Sequence, residues 1–251
     1  MKKYILPSML LVFMFVACKQ HYAVVSMTGI RTEMDATYDP ATVTPMQLLV
    51  DGYKAQLDKE MNQVIGVAVQ DMNLGRGESL LTNWTSDAME KAGDKFTSGH
   101  CDLALMNVNG HRANLAKGNI TLGNMYEIYS FDNALVLVKV KGSVLTEVFE
   151  SYAKMGGAGI SSSAHLEITK DGKLLSATVN GQPVDPKKTY SLVTLDYLAE
   201  GNDGMEALKK EDSVTPLGLL LRTYMIDYVK EQTKAGQQIN SVLDGRITIK
   251  N

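Results

Sequence analysis

The sequence has few of the residues that mark disulfide scaffolds, metal centres and nucleic-acid binders. Only two of its 251 residues are cysteine and only four are histidine. Small disulfide scaffolds carry several cysteine pairs, and zinc sites need closely spaced Cys or His ligands, so the sequence predicts neither. The formal net charge of −3 and the lack of a basic block also predict no nucleic-acid partner.

Long apolar runs are also scarce, and the one at the amino terminus is too short for a typical membrane-spanning helix. Lys2 and Lys3 precede an apolar stretch over residues 4–16, which predicts an export signal over residues 1–17. The signal ends in Ala17-Cys18, which resembles the bacterial lipoprotein cleavage box. Acylation of Cys18 would anchor the exported protein to the bacterial envelope, most simply at the periplasmic or surface side of the outer membrane. The alternative is an ordinary secreted protein with a chance cysteine.

Sequence patterns for catalytic centres are missing too. There is no H-E-x-x-H and no G-x-S-x-G, and only His100 and Asp102 would share a strand face in a way that could favour a metal. With Cys18 lipidated, Cys101 would have no disulfide partner. Cys101 begins an apolar run, which predicts a buried, inert thiol. We therefore predict no catalytic residue, metal or cofactor in this chain.

Apolar periodicity predicts one α+β domain over residues 45–251, a mixed β-sheet with packed helices, after a tether and edge segment over residues 18–44. An edge strand is expected near residues 22–25. Helices are predicted over residues 45–62, 78–91 and 143–153 and from 215 to about 236, with Gly93 stopping the second. Strands are predicted over residues 64–69, 101–106, 126–130, 134–141, 165–169, 174–179, 190–196 and 246–250.

Polar residues follow the predicted strand that ends at residue 106. Asn107 has a side-chain amide, Gly110 has no Cβ, and Arg112 has a permanently charged guanidinium group. Together these residues could form an anion site. The same residues could also form a plain turn, with Arg112 in a surface ion pair. Arg76 precedes a predicted helix, where it could add to the attraction of the helix N-terminus for anions or be a solvated loop residue.

Several segments together resemble one known domain. Residues 102–107 with Gly110 and Arg112 resemble a strand followed by an "N-x-G-G-x-R" loop, and residues 130–133 resemble a "P-F-x-N" segment. Tyr197 with residues 201–204 resembles an "F/Y…G-G-D-G" loop, and residues 244–247 resemble a closing strand. In this order the segments are similar to the C-terminal domain of the bacterial 5′-nucleotidase family, which includes UDP-sugar hydrolases.

The resemblance implies a substrate-binding domain. Phe131 and Tyr197 would enclose a nucleobase, although both rings would otherwise be taken as ordinary core residues. Asn133 and Asp203 would hydrogen-bond the base or ribose, and Arg112, with Arg76 as a second arginine, would bind phosphate. The substrate-binding residues implied are Phe131, Tyr197, Asn133, Asp203, Gly157, Arg112, Asn107, Gly110 and Arg76. Gly157 falls where the family's backbone approaches the base.

Members of that family also carry a metallophosphoesterase domain with two metals, and this sequence has no counterpart to it. The resemblance therefore implies the nucleotide-recognition half of a split 5′-nucleotidase, a hydrolase of nucleotide catabolism, whose divalent metals reside in a separate metallophosphoesterase chain. This chain alone is expected to be inactive. Two alternatives stay open: a stand-alone lipoprotein that scavenges nucleotides or nucleosides, and a structural domain that has lost the ligand.

Overall fold

The computed structural model describes residues 26, 28–29, 31–33, 36–38, 44–96 and 100–251. The chain divides into two units, Met1–Leu48 and Leu49–Asn251. The first unit contains, within its described residues, a 3-10 turn at Ala36–Tyr38 and the first residues of helix α1 (Pro45–Met61). The predicted signal peptide, Cys18 and the edge strand expected near residues 22–25 lie outside the described residues.

The second unit contains both helices and strands, with five consecutive strands between two of its helices. The helices that follow α1 are α2 (Leu80–Phe96), α3 (Leu122–Ile128), α4 (Gly142–Lys154), α5 (Asp196–Ala199) and α6 (Leu221–Lys234). The strands are β1 (Val64–Ala68), β2 (Leu103–Met106), β3 (Gly118–Thr121), β4 (Ala134–Lys141), β5 (Gly159–Ile160), β6 (Ala164–Thr169), β7 (Leu174–Val179), β8 (Gln182–Pro183), β9 (Thr189–Leu195), β10 (Ser213–Leu220) and β11 (Ile247–Lys250).

Three sheets form among the described residues. β1 pairs with β3, five strands follow the order β10-β4-β9-β2-β5, and four follow the order β11-β6-β7-β8. Both larger sheets are mixed, because β2 runs parallel to β9 and β11 runs parallel to β6 while the other pairs are antiparallel. The predicted α+β class with mixed sheets is confirmed, although the strands are distributed over three sheets.

Helix α2 covers the five-stranded sheet with its apolar side. Leu81, Trp84 and Met89 are buried in the core. The predicted stop at Gly93 is wrong, because the helix continues to Phe96. A Cβ on Gly93 would lie 2.7 Å from the Val193 side chain, so this glycine allows the helix to approach β9 closely.

The strand predicted over residues 126–130 is also wrong, because most of these residues belong to helix α3. Thr121 and Asn124 form a capping box at its start: the Asn124 N–H donates to Thr121 Oγ1 at 3.2 Å, and the Thr121 N–H donates to Asn124 Oδ1 at 2.9 Å. Met125 and Ile128, three residues apart, are both buried. The cap and this spacing outweigh the strand-like composition of the segment.

The helix predicted to begin at Thr215 begins six residues later. Residues Ser213–Leu220 form β10, an edge strand antiparallel to β4. Pro216 has no N–H to donate, and an edge strand tolerates this. The pairing register shifts between Pro216 and Leu219, around Gly218 at φ 71°. The Thr-Pro pair therefore marks a bulged edge strand and not a helix cap.

Helix α1 forms where it was predicted, but none of its residues is buried. Its exposed apolar side chains are Met46, Leu48, Leu49, Val50, Tyr53 and Leu57. In the part of the chain that the structure describes, this helix and the others fall short of the length and apolar character needed to cross a bilayer.

Candidate functional site

Three strand ends meet at one edge of the five-stranded sheet. β2 is parallel to β9, with Ala104 opposite Val193, so both strands end at this edge. β4 is antiparallel to β9, with Leu135 opposite Leu195, so β4 begins there. The loop after β2, the segment before β4 and the turn after β9 are thus neighbours. These segments carry most of the site residues predicted from the sequence.

Asp196 joins two of these segments. Its Oδ1 accepts hydrogen bonds from the Ala134 N–H at 3.1 Å and from the Tyr197 N–H at 2.8 Å. The Asn133 carbonyl in turn accepts from the Leu221 N–H at 2.9 Å. The backbones beside Phe131 and Tyr197 are therefore held by hydrogen bonds, and the two ring side chains project from anchored positions.

A cleft of about 220 Å³ opens between these segments. Its lining residues are Asn107, Asn109, Gly110, Arg112, Phe131, Asn133, Tyr197 and Asp203. Phe131 is 48% exposed and Tyr197 41%, and within the described chain the two rings do not stack on each other. Complete ligand pockets usually measure ~300–1,000 Å³, so this cleft suits one flat ring system with the rest of a ligand outside it.

Asn107, Asp203 and Tyr197 form a hydrogen-bonded row along the cleft. The Asn107 Nδ2 donates to Asp203 Oδ2 at 2.6 Å, and the Tyr197 hydroxyl donates to Asp203 Oδ1 at 3.2 Å. The negative charge of Asp203 raises the pKa of Tyr197, so the hydroxyl stays protonated as a donor. Asp203 has φ 51°, a left-handed conformation that few side chains adopt and that turns its carboxylate toward both partners.

Gly110 leaves room for the Asn107 amide. A Cβ on Gly110 would lie 2.4 Å from Asn107 Oδ1, closer than atoms can approach. Asn107 Oδ1 is buried and has no hydrogen-bond partner among the described residues. Buried polar atoms are nearly always paired, so this oxygen is an exception among the polar atoms beside the cleft.

Arg112 places a positive charge beside the Phe131 ring. Its guanidinium carbon lies 5.7 Å from the ring centroid, and its backbone N–H donates to the Ile128 carbonyl at 2.9 Å. The side chain is exposed and makes no ion pair with any described residue. The surface ion pair considered in the plain-turn interpretation is not formed among the described residues, and Arg112 instead contacts the Phe131 ring.

Arg76 lies beside the cleft and does not line it. A neighbouring cavity of about 140 Å³ is lined by Arg76, Asn107, Val108, Asn109, Met155, Ala158 and Asp203. Arg76 Nη1 donates to the Met155 carbonyl at 2.8 Å. The hydrogen-bonded pair Asn107–Asp203 therefore stands between Arg76 and the cleft that contains Arg112.

Gly157 is not brought to the cleft or to the neighbouring cavity. It is buried at φ 94°, and a Cβ there would lie 2.6 Å from the Cα of Gly77. The close backbone approach that this glycine permits is thus to another loop of the same chain.

His100 and Asp102, considered from the sequence as a metal pair, each contact another residue. Asp102 accepts from the Ser191 N–H at 2.9 Å, and His100 lies 3.4 Å from Asp94. Among the described residues, no three His, Cys, Asp or Glu side chains are grouped closely enough to hold a metal ion. Cys101 is fully buried as predicted, and burial raises the pKa of its thiol to about 12.

Comparison with known proteins identifies the family of the domain that contains this cleft. The family model described as 5′-nucleotidase, C-terminal domain, matches residues 60–210, more than half of the chain and all three segments around the cleft. The chain belongs to this family. The predicted resemblance is thereby confirmed at the level of the domain.

Relatives of this 5′-nucleotidase C-terminal domain are longer proteins. Protein UshA of Yersinia enterocolitica is 28% identical over 200 residues, covering 78% of this chain and 35% of UshA. NAD 5′-nucleotidase of Haemophilus influenzae is 25% identical over 189 residues, covering 65% and 31%. The crystal structure of a 5′-nucleotidase precursor from Thermus thermophilus superposes with a TM-score of 0.71 at 27% identity, covering 82% and 43%. The chain spans less than half of each.

In this 5′-nucleotidase C-terminal domain, sequence reasoning missed the polar residues behind the cleft. Thr85, Tyr129 and Arg222 contact the segments that carry Arg112 and Phe131. One signal was available: Thr82, Thr85 and Ser86 interrupt the apolar side of α2 and are fully buried. Buried hydroxyls on a core helix indicate hydrogen-bond partners elsewhere in the chain.

Proposed function

We propose that this domain binds a nucleotide or nucleoside with its base between Phe131 and Tyr197. The single observation that carries the proposal is that these two half-exposed rings line one cleft together with Arg112, which forms no ion pair with any described residue. Stacking on an aromatic side chain contributes ~1–3 kcal/mol per base, and the exposed rings are accessible for such stacking.

The polar groups of the cleft fit the rest of a nucleotide. Asp203 offers further lone pairs to ribose hydroxyls beyond those used by Asn107 and Tyr197. Asn133 presents a side-chain amide at the same cleft, suited to the base edge. Arg112, beside the Phe131 ring, suits a phosphate attached to the ribose. In this proposal, Arg76 would contact only a ligand group that extends beyond Asn107 into the neighbouring cavity.

We further propose that the domain is the substrate-recognition half of a split 5′-nucleotidase. Aromatic rings, amides, an arginine and one carboxylate line the cleft, a set that supports binding. Hydrolysis of the phosphoester would use two divalent metals held by a separate metallophosphoesterase chain. Purified alone and supplied with Mg²⁺, Mn²⁺ or Zn²⁺, this chain should show no nucleotidase activity. Turnover by the purified chain would contradict the proposal that catalysis resides in a separate chain.

The proposed location is the bacterial envelope, with the chain exported and anchored through lipid on Cys18. In bacteria grown with labelled palmitate, the protein should acquire the label and sediment with outer membranes. The Cys18→Ala variant should lose both properties. Labelling that persists in the variant would contradict the anchor.

Calorimetric titration with adenosine, AMP and UDP-glucose tests the binding proposal. Micromolar binding of at least one ligand is expected, and tighter binding of AMP than of adenosine would show that the phosphate contributes to binding, as a contact with Arg112 requires. A folded protein that binds none of them would leave only the structural role. Affinity purification from the native organism should recover a metallophosphoesterase, whereas binding without any such partner would favour nucleotide scavenging.

A further inference from the structure

A buried polar cluster lies directly behind the cleft, formed by Thr85, His111 and Tyr129. Thr85 Oγ1 is 2.8 Å from His111 Nε2 and 2.7 Å from the Tyr129 hydroxyl. The His111 and Tyr129 rings also contact each other, with centroids 5.5 Å apart. All three side chains are at most 2% exposed. The cluster thus connects helix α2, the loop after β2 and the end of α3.

The hydrogen bonds of this cluster have a defined direction. Thr85 Oγ1 also lies 2.9 Å from the Leu81 carbonyl, which can only accept, so the single hydroxyl proton of Thr85 is donated there. Thr85 must then accept from both other partners. His111 therefore carries its proton on Nε2, and the Tyr129 hydroxyl donates to Thr85. His111 Nδ1 makes no hydrogen bond of good geometry with any described residue, and the backbone carbonyls of Val108 and Asn107 lie near the ring.

Both donors stand next to residues that line the cleft. His111 directly precedes Arg112, and the Arg112 N–H donates to Ile128, which precedes Tyr129. Phe131 follows Tyr129 by two residues. The cluster is therefore the place where the backbone of the arginine segment and the backbone of the aromatic segment are tied together.

Arg222 fixes the second segment from its other side. Its Nη1 donates to the Tyr129 carbonyl at 3.0 Å, and its Nη2 pairs with Asp132. The guanidinium also lies 4.5 Å from the centroid of the Tyr126 ring. Phe131, between Tyr129 and Asp132, is thus flanked by two residues that one arginine holds.

We propose that His111 is a positioning residue, which through Thr85 and Tyr129 sets the spacing between the Arg112 guanidinium and the Phe131 ring so that one nucleotide reaches both. The inference rests on the proposed nucleotide binding and deepens it. His111 contacts no ligand in this account. Its effect is on whether one nucleotide can place its phosphate at Arg112 and its base at Phe131 at the same time.

Three substitutions at His111 separate this role from general stability. Gln can present an amide N–H near the position of Nε2, Asn can present one only near Nδ1, and Leu presents none. For AMP we expect His111→Gln to bind like the wild type, and His111→Leu and His111→Asn to bind about tenfold more weakly, since the buried Thr85 loses a donor. Adenosine, which has no phosphate for Arg112, should be affected much less.

Two further variants provide controls. Ile168→Ala removes fully buried side-chain atoms in the four-stranded sheet, away from the cluster, and should lower the unfolding temperature without changing AMP affinity. Tyr129→Phe removes only the hydroxyl, so if His111→Leu does not fold, Tyr129→Phe should still weaken AMP binding severalfold. Thermal unfolding and calorimetry are measured for every variant.

The outcomes distinguish this inference from the proposal it rests on. Wild-type binding with full AMP affinity in folded His111→Leu or Tyr129→Phe would overturn the positioning role and leave nucleotide binding intact. Equal losses in His111→Gln and His111→Leu, or an equal loss in Ile168→Ala, would also overturn it. Failure of the wild type to bind any nucleotide would overturn both.

Discussion

The residues around the cleft depend on contacts between side chains far apart in the sequence. Asn107 and Asp203 are hydrogen-bonded at 2.6 Å, although 96 positions separate them. Gly110 is what allows Asn107 to adopt this orientation. The sequence pointed to each of these residues as a ligand group, but the structure shows that they also bind one another. A substitution at one position therefore affects its partners as well as any ligand.

His111 predicts a dependence of stability on pH. Burial lowers its pKa to about 4, while an unfolded chain has a histidine pKa of about 6.5. The unfolded state thus binds more protons between these pH values. The free energy of unfolding therefore has its maximum contribution from His111 above about pH 6.5, and this contribution is lost as the pH drops toward 4. The loss is on the order of 3 kcal/mol for a shift of this size.

Urea unfolding at several pH values between 4 and 7.5 measures this effect. His111→Gln should flatten the curve over that range, because the substituted side chain does not titrate. Exposed His165 is the matched control, and His165→Gln should leave the slope as it is in the wild type. A wild-type curve that is already flat would show that His111 is not buried in its neutral form.

At the scale of the element, the packing of α2 predicts an unusual response to alanine. Replacing glycine by alanine in an exposed helix position stabilises by up to ~1 kcal/mol, which is expected for Gly52 in α1, where nothing lies within 4 Å. At Gly93 the new Cβ would meet Val193 and Cys101 at 2.7–2.8 Å, and overpacking of this kind costs ~1–3 kcal/mol. Gly93→Ala should therefore destabilise and Gly52→Ala should not. Denaturant midpoints that rise equally in both variants would contradict the close packing.

Element predictions succeeded where periodicity and burial agreed. Residues 134–141 form β4 with the predicted bounds, and α4 extends one residue beyond its prediction at each end. Predictions failed where a local signal had two structural uses. A glycine can end a helix or permit close packing, as at Gly93, and Thr-Pro can cap a helix or mark an edge strand, as at Pro216. Only the neighbouring strand decides between these uses, and that neighbour is distant in sequence.

At the scale of the whole molecule, Arg246 joins the carboxyl-terminal strand to helix α2. Its side chain is 1% exposed and pairs with Asp87 and Asp244, each at 2.8 Å, and donates to the Ile160 carbonyl at 2.9 Å. The hydrogen bonds from Arg246 hold the pKa of Asp244 below its ordinary value. The closing strand was predicted from the sequence, but this buried ion cluster was not.

Removal of this arginine should cost a large share of the stability. Arg246→Met leaves two carboxylates without their cation, and breaking a buried pair from one side typically costs ~3–5 kcal/mol, the lower value being expected because both carboxylates are about a third exposed. Lys250→Met, which removes an exposed pair with Glu167 at 3.4 Å, should cost ~0–1 kcal/mol. Urea unfolding compares the two, and equal losses would contradict a structural role for Arg246.

The composition of the site was largely predictable and its internal organisation was not. The resemblance pointed to nine binding residues, and seven of them line the one cleft: Asn107, Gly110, Arg112, Phe131, Asn133, Tyr197 and Asp203. Arg76 lies in the adjacent cavity, and Gly157 packs on Gly77. Strand order brought the motifs together. For the side chains that hold those motifs from behind, the sequence offers only the hydroxyl residues that interrupt the apolar side of α2, and these do not identify the residues that they bind.

The central claim is that one nucleobase stacks between the rings of Phe131 and Tyr197. Calorimetric titration of AMP into the wild type and three variants tests this claim most directly. The wild type and Tyr53→Ala, which removes an exposed ring of α1 outside the cleft, should bind with micromolar affinity. Phe131→Ala and Tyr197→Ala should each lose ~1–3 kcal/mol of binding free energy, about 5- to 150-fold in affinity. Unchanged affinity in both cleft variants, or no binding by a folded wild type, would contradict the account.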